Sequence, residues 1–425
     1  MGRFTKSNDD KIDFLIQSQL DLIVQATVDI LQKNVVAIIL AGSFGKGEGS
    51  VKFVGEKIFP LRDYDIMVAV RKRPSDETVS RLYQLIYEKT GAKSRLQSLS
   101  DFYVDLFITT INGLKSFPDI YSYEIKIASQ LLYGEDIRKE IPWEIEDIPL
   151  SSGWRFLFEK ITGLIRHFPQ QYFTEGQIDQ HRCELLIYEC YKTYMEIATS
   201  LTLLMGCYEP SFTARANAFK KNYCKKLPAL FKILPDLSAT VDKATNFKLN
   251  PVFKKSSENY LDLWFRTRDD LITIAKFYAE KYLNVAITDF IKSEKTLTRG
   301  LCIRYFEPMA KAICNNSFKT NKAFAISTTN SSLQLLQNLQ YIQDFRKDGK
   351  MPVKVLRYPF ISVTVRLHAI AAQVILSIRK DGNIDLYNFE SAKRSLLSLL
   401  ACGRITSFAD LRAAYLDSYQ HLWAH

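Results

Sequence analysis

The stretch that decides the fold is residues 35–70, VVAIILAGSFGKGEGSVKFVGEKIFPLRDYDIMVAV. It begins with a β-branched apolar run, VVAIIL (35–40), which predicts a buried strand, and a Gly-rich turn, AGSFGKGEGS (41–50), follows directly. A small hairpin is expected over 51–60, and LRDYDIMVAV (61–70) predicts a second strand. This order of strand, glycine turn, hairpin and strand indicates a domain built on a β-sheet.

The flanking segments complete an α+β domain. The apolar spacing over 10–34 predicts an amphipathic helix before the first strand, and another helix is expected at 75–90. FYVDLFITTI (102–111) predicts a third strand, and a further helix is expected near 118–131. We therefore predict an N-terminal domain with a short mixed sheet flanked by helices, followed by a large all-α region.

The length of 425 residues is too great for one ordinary domain and indicates two or three. From about residue 151 the pattern is helical almost throughout. We divide the chain into an α+β domain at 1–150, a helical domain at 151–300 and a C-terminal helical lobe at 301–425, in which no motif can be read.

The net charge of +11 is unevenly distributed. Residues 1–150 contain 19 Lys and Arg against 22 Asp and Glu, whereas the remaining residues contain 38 against 24. A basic C-terminal region indicates an anionic partner, such as a nucleotide, a nucleic acid or an acidic surface, but does not choose among them.

Composition excludes several other classes of protein. The seven cysteines include no CxxC pair, so a disulfide framework or zinc ribbon is not expected, and most should be small buried side chains. No segment of about 20 residues lacks charge, as a membrane span would require. The N-terminus, MGRFTKSNDDKIDF, has no apolar core and does not resemble a secretory signal. We expect a cytoplasmic protein with no membrane association.

Three pieces of the first domain predict a site for chemistry. Gly42 and Ser43 lie at the end of a buried strand, where glycine allows backbone amides to face an anion. Asp63 and Asp65 are two residues apart on a strand and so share one face, where their like charges favour a divalent cation. Asp105 lies within an otherwise apolar strand, which is unfavourable unless it is paired or bound to a cation. Alone, each piece could also be an ordinary turn, a solvated strand end or half of an ion pair.

Taken together, these pieces resemble the DNA polymerase beta-like nucleotidyltransferase superfamily. The resemblance covers residues 30–110 and the order of elements to about 150. GSFGKGEGS followed by RDYDIMV looks most like bacterial small-molecule or second-messenger nucleotidyltransferases. The nineteen residues between Ser43 and Asp63 exceed the usual spacing of that superfamily, and the hairpin predicted above accounts for the excess.

The resemblance implies a metal-dependent transferase that binds ATP or another nucleoside triphosphate (NTP). The protein would transfer a nucleoside monophosphate (NMP) to an acceptor hydroxyl and release pyrophosphate. Gly42 and Ser43 would hold the terminal phosphates, and Asp63 and Asp65 would hold two Mg²⁺ or Mn²⁺ ions. Asp105 would ligate the metal nearer the acceptor and help to deprotonate the hydroxyl. This agrees with the general requirements of phosphoryl-type transfer, which are in-line positioning and charge neutralisation.

Related enzymes often place a lysine and a hydroxyl from the helical domain over the triphosphate. By this resemblance Lys192 is the leading candidate, with Ser211 and Arg215 as weaker ones. The alternative for Lys192 is a solvated helix face. The basic stretch 215–226, which also contains aromatic residues, could hold single-stranded nucleic acid, although a solvated helix face is the more common outcome.

The acceptor stays open among a small molecule, a second nucleotide, an RNA end and a protein side chain, because the fold alone does not determine it. A second hypothesis is a catalytically silent domain whose basic helical region binds RNA or a protein partner. The presence of Asp63, Asp65 and Asp105 argues against it. A third is an oligonucleotide second-messenger synthase, which would act on NTPs without an added acceptor.

Overall fold

The computed structural model covers most of the chain. The residues it describes are 2–7, 9–54, 57–93, 102–116, 118–252, 260–304, 306–317, 322–347, 355, 360–399 and 404–420. The elements of the N-terminal domain are α1 (Asp10–Leu31), β1 (Val35–Leu40), α2 (Gly42–Gly45), β2 (Val51–Val54), β3 (Lys57–Pro60), β4 (Arg62–Val70), α3 (Asp76–Thr90), β5 (Phe102–Thr109), α4 (Ile111–Leu114), α5 (Ile120–Ile127) and β6 (Gln130–Gly134).

The main sheet has four strands in the order β5-β4-β1-β6 and is mixed. β4 is parallel to β5 and antiparallel to β1, and β1 is antiparallel to β6. β2 and β3 form a separate two-stranded hairpin, which confirms the hairpin predicted over 51–60. The α+β fold with a short mixed sheet is therefore confirmed.

Side chains alternate between the two faces of the sheet along each strand, and both faces pack against other elements. On one face Ile38, Tyr64 and Val68 belong to a core cluster that includes the buried residues of α1 and α3. On the other face Met67 packs in a smaller cluster with Leu114 of α4. The acidic residues at the start of β4 alternate with Tyr64 and so lie on the Met67 face, where the candidate site forms.

α1 is the longest helix of the N-terminal domain. By length and hydropathy alone, Asp10–Asn34 could cross a membrane. In the structure Ile12, Ile16, Leu20 and Ile23 are buried in the core cluster that contains β1 and β4. Their spacing of three and four residues places them on one face, so α1 packs as a core helix against the sheet.

The remainder of the described chain is helical. Its helices are α6 (Leu150–Arg166), α7 (Gln170–Glu175), α8 (Gln180–Leu204), α9 (Phe212–Lys226), α10 (Pro228–Ile233), α11 (Leu237–Leu249), α12 (Tyr260–Leu283), α13 (Glu294–Arg304), α14 (Glu307–Ser317), α15 (Lys322–Lys347), α16 (Val363–Leu376), α17 (Leu386–Leu399) and α18 (Phe408–Gln420). One cluster of buried side chains extends from Trp154 to Tyr415 and crosses residue 300. The predicted division into two helical domains remains a prediction.

The structure corrects one predicted element. A helix was expected near 118–131, but α5 ends at Ile127 and residues Gln130–Gly134 pair with β1 as an edge strand. Ala128, with φ of −138°, already leaves the helical conformation. The apolar run that follows is too short for its periodicity to distinguish a helix from a strand. Only its pairing with β1 shows that it is a strand.

The expectation that most cysteines are buried is wrong for the described residues. Cys190 and Cys314 are buried, three others are half-buried, and Cys224 is exposed. All six are free thiols, and Cys402 lies outside the described residues.

Candidate active site

The glycine turn after β1 lies against the acidic strand β4. Gly42 and Ser43 begin α2, a single helical turn, and the amide of Ala41 donates to the carbonyl of Asp65 at 2.8 Å. Gly42 has a φ of +59°, and a Cβ atom at this position would lie 1.7 Å from Oδ2 of Asp65. Glycine is required here, because any side chain would be strained in the left-handed region and would collide with the carboxylate.

Asp63 and Asp65 of β4 and Asp105 of β5 share one face of the sheet. In the parallel register of these strands Asp65 is opposite Asp105, and Asp63 is opposite Tyr103. The Tyr103 hydroxyl donates to Oδ2 of Asp63 at 2.9 Å, which places both side chains on this face. The structure therefore brings together the three carboxylates predicted to be neighbours.

These carboxylates affect one another's ionisation. Burial, followed by the charges of Asp63 and Asp105, raises the pKa of Asp65 to about 8. Burial and the charge of Asp63 also raise the pKa of Asp105. For Asp63, burial opposes ionisation, but Lys192 and Arg62 outweigh it and hold the pKa below its ordinary value. At neutral pH Asp63 is therefore ionised, whereas Asp65 is mostly protonated.

The metal-binding role of these three carboxylates stays a prediction. Among the described residues, no group of three or more His, Cys, Asp or Glu side chains is placed to hold a metal ion. Their chemistry nevertheless fits a divalent cation such as Mg²⁺, because all donors are carboxylate oxygens and the cation would offset the repulsion that raises the pKa of Asp65.

A cleft of about 180 Å³ lies between this face of the N-terminal domain and the helical region. Its lining includes Gly42, Ser43, Asp63 and Asp65 from the first domain, and Lys192 from α8. With Arg215 of α9, six of the eight residues predicted for the site thus line a single cleft. Asp105 lies beside it through its pairing with Asp65 but is not among the described lining residues.

Two lysines of the helical region line the cleft. Burial would lower the pKa of Lys192, but the charges of Tyr188 and Asp63 outweigh it and raise the pKa. Lys248, near the end of α11, is 8% exposed and donates to the Tyr188 hydroxyl at 3.2 Å. Lys192 thus lines the cleft near Asp63, and its contact with a nucleotide stays a prediction. Lys248 was missed because no motif surrounds it in the sequence.

Arg62 precedes the acidic pair in a strained conformation. Its φ is +83°, in the left-handed region, where a residue with a Cβ atom loses roughly 1–2 kcal/mol. Its guanidinium carbon lies 5.3 Å from the centre of the Tyr188 ring, and its buried Nε has no hydrogen-bond partner among the described residues. Backbone strain of this kind persists only where the surrounding structure enforces it. The strained residue Arg62 directly precedes Asp63, and its positive charge stabilises the ionised form of that carboxylate.

Ser211, predicted to contact the nucleotide, is not among the described residues that line the cleft. Its hydroxyl donates to Oε1 of Glu48 at 2.8 Å and accepts from the amide of Ala214, so it caps α9. Glu48 is fully buried and also accepts from the amides of Phe212 and Thr213. Glu48 thereby joins the glycine turn to the first turn of α9, and a nucleotide-binding role for Ser211 remains a prediction.

A charged network makes a second connection between the turn and α9. Nζ of Lys46 lies 2.7 Å from Oε1 of Glu124, and the same oxygen is 3.0 Å from Nη2 of Arg215. Arg215 is 4% exposed and also donates to Thr199 and to the Tyr208 hydroxyl. Arg215, the weaker nucleotide candidate, is thus engaged in a buried network in the cleft wall.

The aromatic rings of the basic stretch 215–226 are buried and do not face solvent. Phe219 and Tyr223 are 0% and 1% exposed, respectively, in the core of the helical region, so they cannot stack on bases. Lys220 pairs with Asp242 at 2.9 Å on the surface. The described structure therefore shows a charged helix face over a packed aromatic core.

No family model matches this sequence, and no curated protein matches it either. Among solved structures, the chain is similar to that of spectinomycin adenyltransferase AAD(9) from Enterococcus faecialis, with ATP and spectinomycin. The similarity covers 60% of this chain and 98% of that chain, with 17% sequence identity and a TM-score of 0.36. A likeness of this size does not identify the reaction or the substrates of this chain.

Proposed function

We propose that this protein is a metal-dependent nucleotidyltransferase, which transfers an NMP from an NTP to an acceptor hydroxyl and releases pyrophosphate. The observation that supports the proposal is the meeting of three features in one place. These are the Gly42–Ser43 turn, the carboxylates of Asp63 and Asp65 with Asp105 beside them, and the ammonium group of Lys192.

The positive side of the cleft suits a triphosphate. The amides at the start of α2 and the hydroxyl of Ser43 are donors at the turn, and Lys192 and Lys248 line the cleft from the helical region. Lysine ammonium groups and backbone amides are common phosphate ligands in proteins. These residues would orient the phosphates with the α-phosphorus toward the acidic face of β4 and β5.

The acidic side suits the transfer step. Asp63, Asp65 and Asp105 would hold Mg²⁺ or Mn²⁺, and when bound these ions neutralise the charge that develops on the attacking and leaving oxygens. Asp65 has to release its proton to act as a ligand, because its pKa of about 8 keeps it protonated at neutral pH. Asp105 is the most exposed of the three, and its raised pKa suits it to accept the proton of an acceptor hydroxyl.

Incubation with each labelled NTP and Mg²⁺ or Mn²⁺, with and without total RNA, tests the proposal and identifies the acceptor class. Labelled oligonucleotide from NTPs alone indicates a second nucleotide as acceptor, labelled RNA indicates terminal transfer, and labelled protein indicates modification of a polypeptide. A small-molecule acceptor requires an added metabolite extract.

Matched variants make the test specific to the site. Asp63→Asn and Asp65→Asn should abolish labelling, whereas Asp76→Asn, in the first turn of α3 outside the cleft, should retain it. If no acceptor is labelled and Mg²⁺ does not raise the melting temperature of the wild type, a catalytically silent domain replaces this proposal. The expected cytoplasmic location stays a prediction.

A further inference from the structure

A second cavity, of about 360 Å³, lies beside the start of α8 and shares none of its described lining residues with the cleft. Its lining includes three arginines, Arg166, Arg182 and Arg412, and no Asp or Glu among the described residues. We propose that this cavity binds a small phosphate-bearing anion. The inference is independent of the nucleotidyltransferase proposal.

Arg412 forms the fixed part of this cavity. It extends from α18 to the C-terminal end of α6, where Nε donates to the carbonyl of Ile165 at 2.7 Å and Nη2 to that of Arg166 at 2.5 Å. Burial lowers its pKa, and no salt bridge involves it in the described structure. Two carbonyls therefore orient this partly buried cation, but no carboxylate among the described residues neutralises it.

Arg166 and Arg182 line the solvent-exposed side of the cavity. Both are exposed in the structure, and the guanidinium of Arg166 lies over the ring of Tyr419 at 5.8 Å. Arg182 approaches the carboxylate of Asp179 at 3.3 Å, with 65% and 50% of the two side chains exposed. An exposed pair of this kind contributes little stability, so Asp179 competes only weakly with an anion for this guanidinium.

The class of ligand follows from the chemistry of the lining. A guanidinium presents a planar fork of donors that matches phosphate oxygens, and arginine is favoured where phosphate is recognised in this way. Phe168, Ile178 and Leu185 form an apolar wall beside the arginines. The volume lies within the range of small-molecule sites. A phosphate or diphosphate with a small organic group satisfies both parts of the cavity.

Calorimetric titration of pyrophosphate into the full-length protein in EDTA tests the proposal. EDTA removes the divalent metal that the proposed transfer site would use, and the variants below separate binding in the arginine cavity from binding in the cleft. The double variant Arg166→Gln/Arg182→Gln should bind pyrophosphate at least about tenfold more weakly than the wild type. Arg81→Gln, an exposed substitution on α3, is the matched control and should bind like the wild type.

Lys192→Ala distinguishes binding in the cavity from binding in the cleft, because Lys192 lines the cleft and does not line the cavity. This variant should retain pyrophosphate binding in EDTA, and added salt should weaken binding to the wild type. AMP, as an organic phosphate, should show the same losses as pyrophosphate across the variants.

The proposal is overturned if the wild type does not bind pyrophosphate in EDTA. It is also overturned if Lys192→Ala loses binding while the double arginine variant keeps it, because the anion then occupies the cleft. Melting curves of each variant establish that the protein is folded. Because these measurements need neither metal nor transfer, their failure leaves the nucleotidyltransferase proposal standing, and the reverse also holds.

Discussion

Replacing Gly42 with alanine tests whether the glycine turn and the acidic strand must be in contact for activity. The added Cβ atom would lie 1.7 Å from Oδ2 and 2.5 Å from Cγ of Asp65. The backbone at this position also has a φ of +59°. The substitution therefore strains the turn and displaces either the turn or the carboxylate.

Both effects can be given a size. The left-handed conformation costs alanine roughly 1–2 kcal/mol of folding stability relative to glycine. Non-bonded carbon and oxygen atoms normally remain about 3.5 Å apart, so the Asp65 carboxylate and the turn have to separate by more than about 1 Å. A displacement of about 1 Å in a catalytic group costs on the order of 100-fold in rate, or about 2.7 kcal/mol of transition-state stabilisation.

Gly91 provides the matched control for this substitution. It has a φ of +72° at the end of α3, but no atom of the described chain lies within 4 Å of a Cβ atom placed on it. Gly91→Ala should therefore lose about 1–2 kcal/mol in urea unfolding and keep the kcat/KM for NTP-dependent transfer. Gly42→Ala should lose at least as much stability and about 100-fold in kcat/KM. Equal activity of the two variants would refute the argument that Asp65 acts in contact with the turn.

Three further variants test other parts of the structure. Lys192→Ala should raise the KM for the NTP while the fold survives, whereas the exposed Lys225→Ala should not, and an unchanged KM would remove Lys192 from the site. Glu48→Ala should lower the free energy of unfolding in urea by about 3 kcal/mol, because buried donors at the start of α9 lose their acceptor, and a loss below about 1 kcal/mol would contradict that role. Burial lowers the pKa of His368, whose Nδ1 accepts from Trp154, so the unfolded state binds the extra proton and stability should fall below about pH 6.5 by up to about 1.4 kcal/mol per pH unit. His368→Gln should reduce that slope in unfolding measurements made across pH, and an unchanged slope would assign the acid sensitivity to other groups.

The strands of the first domain could be predicted because their residues carry a local signal. Val35–Leu40 is a continuous β-branched run, and β4 alternates between Tyr64 and its apolar partners on one face and acids on the other. β6 could not be predicted, because Gln130–Gly134 is short and its strand character comes from pairing with β1. A pattern within one segment cannot report a partner that is distant in sequence.

The same limit explains which site residues were found. Asp63, Asp65 and Asp105 could be named because a carboxylate on a buried strand conflicts with its surroundings in the sequence itself. The contacts of Glu48 and Glu124 with the start of α9 could not be assigned, because that helix lies far along the chain from both residues. Sequence reasoning therefore identified the charges on the sheet but not the contacts that hold the helical region against them.

The capping of α9 by Glu48 has a consequence for how the chain can be divided. An N-terminal fragment that stops at residue 150 would expose the Glu48 carboxylate. The Lys46–Glu124 pair would also lose its contact with Arg215. The helical fragment would in turn leave the amides of Phe212 and Thr213 without their protein acceptor. Neither fragment should reach a native state by itself, so the intact chain should melt in a single cooperative transition despite its two architectures.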